Sequence, residues 1–212
     1  MRMNTMTVQP KRSVWFHLLD ITINIVIIVA IVGTIRTFIV SPFQIDGNSM
    51  DDTLLHKEYI VINKFRYLFT TPKRGDIVVF HPETDKSKYY VKRVIGLPGE
   101  TVVLRDGLVY IRDPIRSDVK LDEPYLNALN TAHTYDYPVT SGNRQEAVYR
   151  VPKDQYFLLG DNRQGSLDSR SFAHLGTGYT PFIPRSNIKG SVWFVALPIS
   201  NIHAFEPPKY PL

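Results

Sequence analysis

Two residues in this chain have the chemistry of a nucleophile and a base. Ser49 lies in Ile45-Asp46-Gly47-Asn48-Ser49-Met50, directly after a long apolar stretch, and Lys92 lies in Tyr89-Tyr90-Val91-Lys92-Arg93-Val94-Ile95-Gly96. A serine hydroxyl attacks an amide only when another group removes its proton, and a lysine does so only when neutral. Solvated lysine titrates near about 10.4, and burial beside apolar groups lowers that value by several units. If Tyr89 to Ile95 is a strand, alternation places Lys92 on one face with Tyr90 and Val94, which desolvate the amine, and sends Arg93 to the other face and to solvent. Gly47 lets another backbone approach closely, and the amide of Ser49 is placed to donate to an oxyanion.

A third segment, Gly160-Asp161-Asn162-Arg163-Gln164-Gly165-Ser166-Leu167-Asp168-Ser169-Arg170, is equally unusual. Taken singly, each is unremarkable: a serine in a loop, a lysine on a solvated strand face, a Gly-Asp-Asn turn. Their joint occurrence in this order, downstream of an apolar run, resembles the type I signal peptidases, membrane-anchored serine proteases with a Ser/Lys dyad. The resemblance covers Pro42 to about Phe194. It implies that Ser49 and Lys92 are catalytic, that the Ser166 hydroxyl orients the Lys92 amine, and that Asp168 and Arg170 pair beneath the site. It also implies that Phe43, Ile45, Gly47, Leu54, Tyr90 and Val91 lie along the substrate, several of them forming shallow pockets. Such pockets admit small residues at positions −1 and −3 of secretory preproteins.

The chain departs from the family pattern in places. Gly47 stands where many relatives carry a hydroxyl that donates to the oxyanion, so Gly47→Ser is expected to leave activity unchanged or raise it. Asp52 replaces a usual proline, and Gln164 and Gly165 replace the more usual Asp and Asn.

These residues must be held by the rest of the chain. Its 212 residues, 43% hydrophobic, suffice for one sizeable domain and a membrane segment. The absence of cysteine excludes a disulfide framework, a thiol nucleophile and thiolate metal sites. The histidines show no metal-ligand spacing. Neither a metal nor another cofactor is expected. The net charge of +5 is scattered, without the basic helix or aromatic motif of a nucleic-acid binder, and suits attraction to anionic lipid.

Val14 to Ile35 would span about 33 Å as a helix, close to the thickness of a hydrocarbon core. A buried helix of a soluble domain and a cleavable signal peptide are the alternatives. Against the second, the run exceeds a usual h-region, and Ile31 and Gly33 make a poor cleavage site. Arg2, Lys11 and Arg12 precede the run, while Arg36 is the only basic residue in the stretch that follows. The positive-inside bias then leaves the N-terminus in the cytoplasm. The expected organisation is a cytoplasmic tail (1–13), a transmembrane anchor (14–36) and an extracytoplasmic peptidase domain (37–212) at the plasma membrane, near the export translocon.

After the anchor come short runs rich in Val, Ile, Tyr and Phe, cut by Gly and Pro, which predict mostly antiparallel β structure. The first strands are expected at Gln44–Asp46 and Tyr59–Ile62. This agrees with the two antiparallel β-sheet lobes that the resemblance implies, the second and variable lobe falling at about 105–150. Two other functions remain open at this point. A repressor-type Ser/Lys autoprotease shares the chemistry but carries a soluble DNA-binding domain instead of an anchor. A catalytically silent, membrane-tethered binding module would not need Ser49 and Lys92.

Overall fold

The computed structural model describes residues 14–113, 115–136, 146–172 and 174–210. Arg2, Lys11 and Arg12, on which the expected orientation rests, lie outside the described residues, as does part of the 105–150 region. The chain divides into two units, 1–39 and 40–212. In the first, helix α1 (Val14–Thr34) runs into a π-helical turn over Ile35–Ile39. The helix is apolar on all sides and buries none of its residues, so no one face is reserved for a protein core. Its two threonine hydroxyls donate to backbone oxygens one turn back, Thr22 to Leu18 at 2.9 Å and Thr34 to Ala30 at 2.8 Å, which removes their cost in hydrocarbon. With a mean hydropathy of 2.5, the stretch Val14–Thr37 is long and apolar enough to cross a membrane.

The second unit is built from β structure. Its strands are β1 (Val40–Gln44), β2 (Tyr59–Asn63), β3 (Ile77–Phe80), β4 (Tyr90–Gly96), β5 (Thr101–Arg105), β6 (Leu108–Ile111), β7 (Val119–Lys120), β8 (Ala147–Arg150), β9 (Gln155–Leu159), β10 (Phe182–Pro184), β11 (Ile188–Leu197) and β12 (His203–Ala204). The larger sheet has the order β1-β2-β11-β3-β4-β9-β10, with β12 on β11, and the smaller is β7-β6-β5-β8. Every pairing among the described residues is antiparallel. The turn between β5 and β6 falls at Asp106-Gly107, both at positive φ, as a tight hairpin requires.

The first strand differs from expectation, ending at Gln44 where a strand beginning there was expected. Pro42 is tolerated because β1 is an edge of the sheet. The very short β7, β10 and β12 carry too few residues to show alternation. Three apolar clusters hold the unit together. One lies between the sheets around Val102, Tyr149 and Phe157. The second gathers Ile45, Met50, Leu54, Ile60, Ile62 and Val79, and the third Val78, Phe80, Val94, Leu158 and Phe172. Strands β3 and β4 are therefore covered on both faces, and β4 is buried from Lys92 to Gly96.

Candidate active site

Ser49 sits in the loop that follows β1. The chain is pinned at Ile45, whose N–H donates to Glu58 O at 2.8 Å and whose carbonyl accepts from Lys57 N at 2.9 Å. A turn then closes over Met50, whose carbonyl accepts from Thr53 N and Leu54 N. Met50 and Leu54 are driven into the core, leaving Ser49 half-buried between them and the exposed Gly47-Asn48. Gly47 donates to His56 Nδ1 at 3.1 Å and holds φ at +115°, which L side chains rarely adopt. Space for a Cβ is open there, but the backbone is unsuited to any side chain. The expectation that serine at 47 would be neutral or helpful is corrected on this ground.

Lys92 lies mid-strand on β4, opposite Val78 of β3, and is 3% exposed. Its Nζ is 2.6 Å from Ser49 Oγ and donates to Val91 O at 2.9 Å. The Tyr90 ring centroid stands 5.6 Å from the nitrogen. Burial pushes the amine down to about 8. The Asp168 and Asp161 carboxylates pull the other way, and the Arg170 guanidinium adds to the depression.

The Gly160–Arg170 segment forms the wall behind this pair. Asn162 N donates to Ser49 O at 3.2 Å and Asn162 Nδ2 to Asn48 O at 3.0 Å. A Cβ on Gly160 would fall far inside contact with both Ser49 O and Ser166 Oγ, so glycine is required by close approach. Ser166 Oγ is buried there with no partner at full hydrogen-bond geometry among the described residues, although it lies near enough to the Asp168 carboxylate to help hold that group down, and the bonds of the amine go to Ser49 and Val91. Asp168 and Arg170 are both buried and paired through Nε–Oδ1 at 2.9 Å and Nη2–Oδ2 at 2.8 Å. Burial would raise the Asp168 carboxyl, but Arg170 and the Gly160 N–H hold it below its ordinary value.

A cleft of about 500 Å³ opens onto Ser49 and Lys92, lined by Phe43, Ile45, Gly47, Tyr90 and Val91 among others. Leu54 is a correction: it is 0% exposed within the core and does not line the cleft. Arg93 is the second correction. It does lie on the opposite face of β4 from Lys92, but that face is covered. Its guanidinium binds Asp161 through Nε–Oδ1 at 2.9 Å and Nη2–Oδ2 at 2.6 Å, donates to Gly75 O at 3.0 Å, and stacks 3.7 Å from the Tyr125 ring centroid. Sequence reasoning also missed Gly160, Asp161 and Arg163, although all three stand inside the segment it singled out. Among the described residues no group of three His, Asp or Glu could hold a metal. The arrangement is that of a depressed amine in contact with a hydroxyl at the floor of an open cleft, which suits proton transfer from serine to lysine.

Comparison with known proteins gives concordant findings. The family model described as signal peptidase, peptidase S26, matches residues 18–197. Signal peptidase I P of Bacillus subtilis subsp. natto is 38% identical over 178 residues, 84% of this chain and 88% of that protein. Signal peptidase I of Bacillus amyloliquefaciens is 37% identical over 193 residues, 91% of this chain and 95% of its own length. Signal peptidase IB of Staphylococcus aureus strain Mu50 is 35% identical over 199 residues, 90% and 96% of the two chains.

Proposed function

We propose a function from a premise now established: the chain belongs to the signal peptidase family, peptidase S26. It is a serine protease, and its substrates are preproteins from which it removes signal peptides. The finer reading is a Ser/Lys mechanism. The observation that carries it is the 2.6 Å contact between Ser49 Oγ and the buried Lys92 amine.

An extended preprotein segment lies in the cleft beside the exposed loop that follows β1, its small −1 and −3 side chains facing Phe43, Ile45, Tyr90 and Val91. Neutral Lys92 takes the proton of Ser49 as Oγ attacks the scissile carbonyl. The Ser49 N–H donates to the oxyanion. The protonated amine then gives its proton to the leaving nitrogen, and water, deprotonated by the same lysine, hydrolyses the acyl-enzyme. Ser166 Oγ, buried between the Ser49 carbonyl and the Asp168 carboxylate, serves to orient the amine once substrate is bound. The Asp168–Arg170 pair fixes the wall that keeps the amine dry. Residues 1–13 form the cytoplasmic tail, 14–36 the anchor, and 37–212 the extracytoplasmic domain, in contact with lipid and near the export translocon. The apolar helix supports an anchor, and the charge bias of the sequence supports this orientation.

The test uses the purified full chain in detergent with a preprotein. Ser49→Ala is expected to abolish cleavage at the signal-peptide boundary while the protein still folds, because it removes one oxygen and little packing. Substantial residual turnover in that variant would overturn the assignment of Ser49.

A further inference from the structure

The long connection from β7 to β8 belongs to the smaller sheet, yet its polar side chains engage the larger one. Glu123 is the counter-ion of Arg163, a guanidinium with 0% exposure, with contacts of 2.5 Å (Nη2–Oε1) and 3.1 Å (Nη1–Oε2). Arg163 Nε in turn donates to Gly160 O at 3.0 Å. Gly160 is the residue whose backbone closes against the Ser49 carbonyl and the Ser166 hydroxyl. Tyr125 donates its hydroxyl to Glu123 Oε1 at 2.7 Å, and its ring carries Arg93. Arg93 grips Asp161, which accepts from Thr53 in the Ser49 loop at 2.6 Å. The same connection also reaches the Ser49 loop directly, since Asn127 Nδ2 donates to Asp52 Oδ2 at 2.6 Å.

We propose that Glu123 and Tyr125 are positioning residues that hold the Gly160–Arg163 turn against the Ser49 loop and thereby keep the Ser49–Lys92 contact short and dry. The proposal rests on the reading of Ser49 and Lys92 as the dyad. The physical basis is that a buried guanidinium is held where its counter-ion puts it. Glu123 sets the position of Arg163, Arg163 sets that of the Gly160 carbonyl, and Gly160 sets the width of the wall. Arg163 and Gly160 are buried, so a shift of either is expected to move the wall and admit water to the amine. The charged groups that act on that amine are Asp161, Asp168 and Arg170, and the double change at Glu123 and Arg163 removes none of them.

The deciding variant is the double substitution E123Q/R163M in the full chain in detergent, which removes both charges at once and avoids an unpaired buried ion. It is expected to lower kcat for preprotein cleavage about tenfold with KM within about twofold. The acid limb of kcat/KM should move up by about half a pH unit or more as water reaches the amine. The Lys92 titration, followed by NMR on isotope-labelled lysine, should move in the same direction. That readout needs no turnover, so it separates failure of this proposal from failure of the protease reading. If the double variant does not fold, Glu123→Asp, which keeps the charge and shortens its reach, is expected to shift the same readouts in the same direction. Wild-type kcat and an unmoved Lys92 titration, with only the melting temperature changed, would reduce Glu123 to a structural counter-ion and overturn the proposal.

Discussion

Thr53 Oγ1 donates to Asp161 Oδ2 at 2.6 Å, joining the Ser49 loop to a carboxylate more than a hundred residues further along the chain. The same carboxylate binds Arg93 on the strand that carries Lys92. Asp161 thus stands between the two halves of the proposed dyad, with its hydrogen bonds going to Thr53 and Arg93. Asp161→Asn leaves a buried guanidinium without its counter-ion, and a loss of roughly 3 kcal/mol is expected. Thr53→Val removes one bond to that carboxylate and is expected to cost roughly 1.5 kcal/mol. Thermal unfolding in detergent checks the order, and equal effects would contradict the central place given to Asp161.

Gly160→Ala places a methyl group where the Ser49 carbonyl and the Ser166 hydroxyl already sit. One of the two must retreat, and either movement is expected to disturb the Ser49–Lys92 contact. Cleavage is expected to fall about a hundredfold, since displacements on the order of 1 Å at a reacting centre cost that much. Preprotein assays at fixed pH check this, and near-normal turnover would show that the wall is compliant.

Gly47→Ser is expected to destabilise, by roughly 1–2 kcal/mol, because φ of +115° is strained for serine whatever the space around it. Cleavage is expected to fall as the loop relaxes. Higher activity than wild type would show that the backbone adjusts and that an added hydroxyl reaches the oxyanion.

The proximity of Ser49 and Lys92 was legible because the nucleophile and desolvated base proposed for them each need a particular local setting, and the Tyr90-x-Lys92-x-Val94 alternation states one of them. The fate of Arg93 was not legible. Alternation assigns it to the opposite face, but whether that face meets water depends on Tyr125, which arrives from a connection without periodicity. The burial of Leu54 escaped for a similar reason, since the turn at Met50 that draws it inward is set by hydrogen bonds rather than by pattern. The wall around Gly160 reads as an ordinary turn until its contacts with Ser49 are seen.

Lys92→Met should make the protein more stable at neutral pH while destroying its activity. The folded amine titrates near about 8, below its solvated value, so the unfolded chain binds more protons between those two values and stability rises with pH across that window. Below about 8 the cost of burying the charge is present in full, and on that account methionine gains up to roughly 3 kcal/mol. Melting temperatures of the two proteins should differ most below pH 8 and converge toward pH 10. A difference that does not change with pH would mean that Lys92 is not titrating in this range.

The same depressed amine fixes the form of the pH–rate profile. Only neutral Lys92 can accept the Ser49 proton, so kcat/KM should rise with pH through about 8 and then level off. A guanidinium stays protonated throughout, and Lys92→Arg is expected to be as inactive as Lys92→Ala. A lysine kept for packing or charge would behave differently, because arginine would preserve much of both. Ser166→Ala should lose less, since the hydroxyl orients the amine without taking the proton. An active Lys92→Arg enzyme with the wild-type acid limb would assign the base to another group and leave the 2.6 Å contact with Ser49 without a catalytic role.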